Sequence, residues 1–97
     1  MGDGEGITDG TRHRARLRQR LLTDGEGLLD HELTEYLLAL AIPRRDTKPL
    51  AKALLHEFGG IAGLLTADAE AIARGPGMGE TSGAAVKIAH PAALRLL

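Results

Sequence analysis

The residues best suited to chemistry lie in two stretches, "GPGMGETSGAAVK" at 75–87 and "IPRRDTK" at 42–48. In the first, Gly77, Met78 and Gly79 form a Gly-apolar-Gly turn directly ahead of a segment with helical spacing. Glycine at both positions permits a turn in which side chains would clash, and Met78 is expected to point inward as its apolar anchor. The N–H groups of Gly79, Glu80 and Thr81 then stand at a helix N-terminus, where unpaired donors and the helix dipole favour an anion. Such a socket fits a nucleic-acid phosphate. Because backbone amides make the contact, it would read the sugar-phosphate backbone and carry no base sequence. Ser82 belongs to the same first turn, and Lys87 follows further along the helix. In the second stretch Arg44, Arg45 and Lys48 add positive charge. Asp46, next to Arg45, suggests either a local ion pair or a helix cap, which leaves Arg44 the better phosphate candidate.

Other chemistries fare worse. "HELTE", residues 31–35, misses the zinc-protease pattern HExxH because Glu35 replaces the second histidine. His13, His31, His56 and His90 are scattered along the chain and are expected at the surface or at helix ends. A nucleotide-hydrolase loop needs Gly-Lys-Ser/Thr after its glycines, but Glu80 replaces the lysine. With no cysteine in the sequence, disulfides and thiolate metal sites are excluded. No serine, histidine and acid stand in a recognisable nucleophile context. The chain is therefore not expected to be an enzyme or to hold a cofactor or metal.

The elements that must position these residues are helical. At 97 residues, with 43% hydrophobic but only 2% aromatic residues, the chain has room for one aliphatic core. Residues 1–10 hold four glycines and the acids Asp3, Glu5 and Asp9, and are expected to form a disordered acidic tail. Residues 11–97 form the folded domain, mildly basic once the tail is set aside. "TRHRARLRQRLL" reads as an amphipathic helix: Arg12, Arg16 and Arg20 share one outer stripe, and Leu17 and Leu21 lie opposite, flanked by Arg14 and Arg18. That stripe is a solvated face, a secondary basic surface or a protein-docking face.

After the "TDGEG" break, Asp30 is the expected cap of a helix that buries Leu33, Tyr36, Leu37 and Leu40 and stops before Pro43. Asp46 caps the next helix, which tolerates Pro49 in its first turn, buries Leu50, Ala51, Leu54, Leu55 and Phe58, and ends at Gly59. A short helix holds Ile61, Leu64 and Leu65. Asp68 starts another around Ile72. The hairpin follows, then a helix from Glu80 to about His90 ended by Pro91, and a final segment, "AALRLL". No alternating strand pattern occurs. The expected fold is all-α, a compact bundle of five to seven short helices. No apolar run reaches the roughly 18 residues of a membrane span, so no membrane partner and a cytoplasmic location are expected.

The Gly-apolar-Gly turn resembles a helix-hairpin-helix motif. More widely, "HRARLRQRLL", "LLDHELTEYLLALAIPRRDTKPLAKALLHEFGG" and "GMGETSGAA" follow one another as in the N-terminal region of the RadC-like proteins, bacterial proteins long labelled as DNA repair factors. The similarity runs from about Arg12 to Ile88. It implies a DNA-binding module ahead of a JAB/MPN-type domain that resembles zinc-dependent isopeptidases, whose His-x-His and downstream Asp are not in this sequence. The chain would then be the N-terminal part of a longer protein, and that domain a second partner. The resemblance also implies a tandem pseudo-repeat, with a degenerate hairpin at "IPRRD". Two departures from the family's hairpin weaken it: Gly75 replaces an apolar residue, and no lysine closely follows the turn. Two further features work against it. Glu80 opposes a phosphate, and Gly83 lies in a helix interior where alanine is better by about 1 kcal/mol. A looser second helix and low affinity are expected. The competing function is a protein-interaction or regulatory module that positions the downstream domain without touching DNA.

Overall fold

The computed structural model describes the backbone of residues 2–97 and the side chains of residues 12–97, so the expected acidic tail at 1–10 falls outside the described side chains. Seven α-helices and one 3-10 turn follow one another, with no strand among the described residues: α1 Gly2–Asp24, the turn Gly25–Gly27, α2 Asp30–Ala41, α3 Lys48–Phe58, α4 Ile61–Thr66, α5 Ala69–Ala73, α6 Glu80–Lys87 and α7 Ala89–Leu94. The fold is all-α. Leu38, Leu54, Leu64, Ile72 and Val86 are the large apolar side chains fully withdrawn from solvent. Each contributes about 1.5–3 kcal/mol of burial. Leu50 and Ala51 complete this core, with Leu55, Phe58 and Met78 packed on its edge.

Several boundaries follow from local chemistry. Gly59 (φ 76°) and Gly60 (φ 117°) end α3 in backbone that favours glycine. At α3 the N-cap is Thr47 and not the expected Asp46, whose Oδ1 instead accepts the Lys48 N–H at 3.1 Å from just outside the helix. At α2 the cap moves by one residue: Leu29 is the N-cap, its N–H donated to the Glu32 carboxylate at 2.9 Å. Pro91 does not end a helix. The helix that begins at Glu80 stops at Lys87, and Pro91 sits in the first turn of α7. A proline there lacks the N–H that would continue the α6 ladder to the Lys87 carbonyl.

The main correction concerns α2. Its buried residues are Thr34, Glu35, Leu38 and Ala39, not the expected Leu33, Tyr36, Leu37 and Leu40, of which Leu37 packs, partly buried, against the core. Those four instead line an apolar groove of about 330 Å³ together with Leu21, Leu28, Ile61 and Leu65. Leu40 is 67% exposed. Two polar residues join the buried face because partners satisfy them: Thr34 Oγ1 donates to the Asp30 carbonyl at 2.8 Å, and Glu35 is held as described below.

Candidate nucleic-acid interface

The hairpin connects α5 to α6, two helices that pack closely on each other. Gly77 has φ 78°, in the left-handed region that favours glycine. Gly79, at φ −159°, is extended backbone open to any residue. A Cβ there would meet nothing within 4 Å. The turn therefore requires one of its two glycines, and Gly79 is left open to an approach from outside. Met78 is partly buried against the core, as an anchor should be. Gly75 is not a defect in that anchor. It is buried, and a Cβ on it would stand 3.1 Å from Leu54 Cδ2, so the core fills the space an apolar side chain would occupy. Gly83 likewise admits α5: a Cβ would lie 3.0 Å from the Ala73 Cβ and 3.2 Å from its Cα. Close packing against Ala73 there opposes the helix-propensity gain of alanine.

The donors at the start of α6 are fewer than the sequence suggests. The Gly79 N–H donates to Ser82 Oγ at 2.8 Å, a bond from the N-cap amide to the third helical residue. Ser82 is buried, and its hydroxyl caps the Gly79 amide. The Glu80 and Thr81 amides remain, in a first turn that offers them no intrahelical acceptor. Both residues are exposed, and the Glu80 carboxylate stands with them.

The α2–α3 turn, residues 42–47, lies against this hairpin. The Arg45 guanidinium covers Gly77, where a Cβ would be 3.0 Å from Nη1, and Nη1 donates a long hydrogen bond of 3.5 Å to the Gly77 carbonyl. Arg44 and Lys48 are exposed beside Arg45 in the chain. The turn is held from outside by Arg14 of α1, a residue sequence reasoning treated only as a flank of the apolar stripe. Its guanidinium donates to the carbonyls of Pro43 and Arg45, and to that of Ile42 at 3.3 Å. Thr47, buried at the far end of the turn, donates through Oγ1 to the Glu35 carbonyl at 2.9 Å.

Two other predicted residues, Lys87 and Arg20, are engaged elsewhere. Lys87 ends α6, and its ammonium donates to the carbonyls of Leu65 (3.3 Å) and Ala67 (2.8 Å), where α4 stops. Its charge serves that helix end. Arg20 donates to Glu32 at 2.5 Å and to the Gly27 carbonyl at 3.3 Å, at the opposite end of α2 from Arg44 and Arg45. First the Leu29 N–H, and then Arg20, hold the Glu32 carboxyl below its ordinary value. Arg12 and Arg16 are exposed on α1.

Two histidines expected at the surface converge on one carboxylate. Glu35 is 2% exposed; His13 Nε2 from α1 lies 2.7 Å from its Oε1, and His31 Nδ1 lies 3.0 Å from its Oε2. The i, i+4 spacing of His31 and Glu35 inside "HELTE" was a visible signal for half of this cluster. The half supplied by His13, 22 residues away, had none. Among the described residues no group of three His, Cys, Asp or Glu side chains is arranged to hold a metal ion.

Comparison with known proteins agrees with the resemblance at a coarse level. The chain is 45% identical over 85 residues to a UPF0758 protein of Ruegeria pomeroyi, an alignment covering 87% of this chain and 38% of that protein. UPF0758 is the RadC-like family, so this homologue is of the kind the sequence resembles. The chain thus spans about two fifths of the length of the curated relative it matches. No family model matches it, and no solved structure does.

Proposed function

We propose that this chain is a sequence-nonspecific DNA-binding module of a RadC-like protein, and that its α5–α6 connection acts as a helix-hairpin-helix. In this reading the Glu80 and Thr81 amides receive a backbone phosphate over the open Gly79, and Arg44, Arg45 and Lys48 of the α2–α3 turn neutralise its neighbours. The turn serves as the degenerate half of a pseudo-repeat. One observation carries the reading: the Arg45 guanidinium lies over Gly77, which brings a basic side chain to the hairpin although the two residues are 32 apart in sequence. Lys87 and Ser82 leave the contact set, since one is engaged at α4 and the hydroxyl of the other caps the Gly79 amide. Arg12 and Arg16 are a secondary basic face. A JAB/MPN-type domain, and whatever repair role goes with it, belongs to the longer protein this chain is proposed to begin.

The test is fluorescence anisotropy of the 97-residue chain with a labelled duplex and a labelled branched DNA, at about 50 and 200 mM salt. If three phosphates are neutralised, affinity falls roughly fortyfold across that range. Gly79→Asp is the informative variant. Aspartate is a favoured N-cap and meets no steric obstacle here, so the fold survives while a carboxylate occupies the socket. Loss of binding in a folded Gly79→Asp supports the reading; wild-type chain that ignores both DNAs at concentrations on the order of tens of micromolar removes it.

A second reading, a module that docks onto another protein domain, draws on the apolar groove flanked by α2 and α4, beside which Leu40 is largely exposed. The groove shares no residue with the basic turn or the hairpin. The two roles are compatible in one small domain.

A further inference from the structure

Arg44, Arg45 and Lys48 sit on a turn whose shape is set from α1. We propose that Arg14 is a positioning residue: it fixes the α2–α3 turn so that the Arg45 side chain lies over the hairpin, joining two connections into one anion-binding surface. The ligand in this proposal rests on the phosphate-binding reading above; the coupling of Arg14 to Arg45 and Gly77 does not.

Three carbonyls just beyond the end of α2, those of Ile42, Pro43 and Arg45, converge on a single guanidinium. Left to themselves, clustered carbonyl oxygens repel one another and any approaching phosphate. The planar guanidinium has five donors in a fixed fork and can serve three acceptors together, whereas an ammonium is a compact point charge with no such plane. Arg14 is half-buried and engaged with backbone, so it is not itself the phosphate contact. Arg45 is thereby held twice, at its carbonyl by Arg14 and at its guanidinium by Gly77.

The register of α1 makes this grip reproducible. The preceding residue, His13, is bonded to the buried Glu35 at 2.7 Å. Leu17, one turn on, is 3% exposed. Arg20 is tied to Glu32 at the far end. Glu35 also accepts the Thr47 hydroxyl on its carbonyl, so one residue of α2 fixes both the helix that carries Arg14 and the last residue of the turn that Arg14 grips.

Two measurements test the proposal. In ¹⁵N–¹H spectra of Arg14→Lys and Arg14→Ala, the Gly77 amide and the Arg45 Nε–Hε signal should both move, while the Ile72 and Gly83 amides stay in place as a control for the α5–α6 pair. In a cycle of Arg14→Ala, Arg45→Ala and the double variant, read with the labelled duplex, each single change should weaken binding by roughly threefold to tenfold, and the double variant should be little weaker than Arg45→Ala alone. Unmoved Arg45 and Gly77 signals in both Arg14 variants would overturn the proposal, as would additive losses, which would make Arg14 a direct contact. If the wild-type chain binds no duplex, the DNA reading fails on its own, and the spectra still decide whether Arg14 positions Arg45.

Discussion

The α2–α3 turn and the α5–α6 hairpin lie side by side and are built by opposite means. The hairpin is made by what its residues lack: Gly77 takes a left-handed φ, and Gly75 and Gly83 give up side chains so that Leu54 and Ala73 can approach. The turn contains no glycine and is held by side chains, Asp46 and Thr47 from within and Arg14 from α1. The left-handed backbone of a hairpin of the first kind is a local property of a few residues. A turn of the second kind depends on whatever docks α1, so its geometry can change without any change in its own sequence.

Six substitutions at five positions break or sharpen that contrast. Glu35→Ala has the largest expected effect, a loss of about 3 kcal/mol in urea denaturation, because it strips two histidine partners of a buried carboxylate. Its amide shift changes should concentrate in α1 and the α2–α3 turn; equal changes in the hairpin would mean the two connections are not separately supported. Gly83→Val should cost about 2 kcal/mol through overpacking against Ala73, with changes centred on α5 and the hairpin. If Gly83→Ala instead raised stability by about 1 kcal/mol, propensity would outweigh packing at that site.

Gly77→Ala should cost about 1 kcal/mol for its left-handed backbone, while Gly79→Ala stays within about 0.5 kcal/mol of the wild type. Equal losses at the two positions would contradict a turn that needs a single glycine. The smallest effect is expected of Glu32→Gln, at most about 1 kcal/mol. Because the folded protein lowers the Glu32 pKa, its contribution is complete above the ordinary glutamate range and disappears as pH falls through the folded value. Melting temperatures of the variant and the wild type should therefore differ at neutral pH and converge in acid.

Much of the scaffold was legible because its signals are local. Leu50, Ala51 and Leu54 follow a helical period, Gly59 stops α3, and Met78 anchors the hairpin. Failures occurred where a residue answers to something distant in sequence. The apolar stripe Leu33, Tyr36, Leu37 and Leu40 satisfied the periodicity rule as well as the face that was buried, and Thr34 and Glu35 argued against that face until their partners were known. Lys87 looked like a phosphate ligand by position and proved to be bonded to carbonyls 20 and 22 residues earlier.

The sequence by itself determined the helical class, the order of the α2–α6 helices and a glycine turn that opens a helix, because spacing, capping and backbone freedom act over a few residues. Tertiary structure alone decided which face of α2 is core, that Gly75 and Gly83 are contact points, and that Arg14 holds a turn bearing Arg45 over Gly77. Those outcomes depend on which surfaces meet, and a buried polar group is acceptable only when the fold delivers its partner.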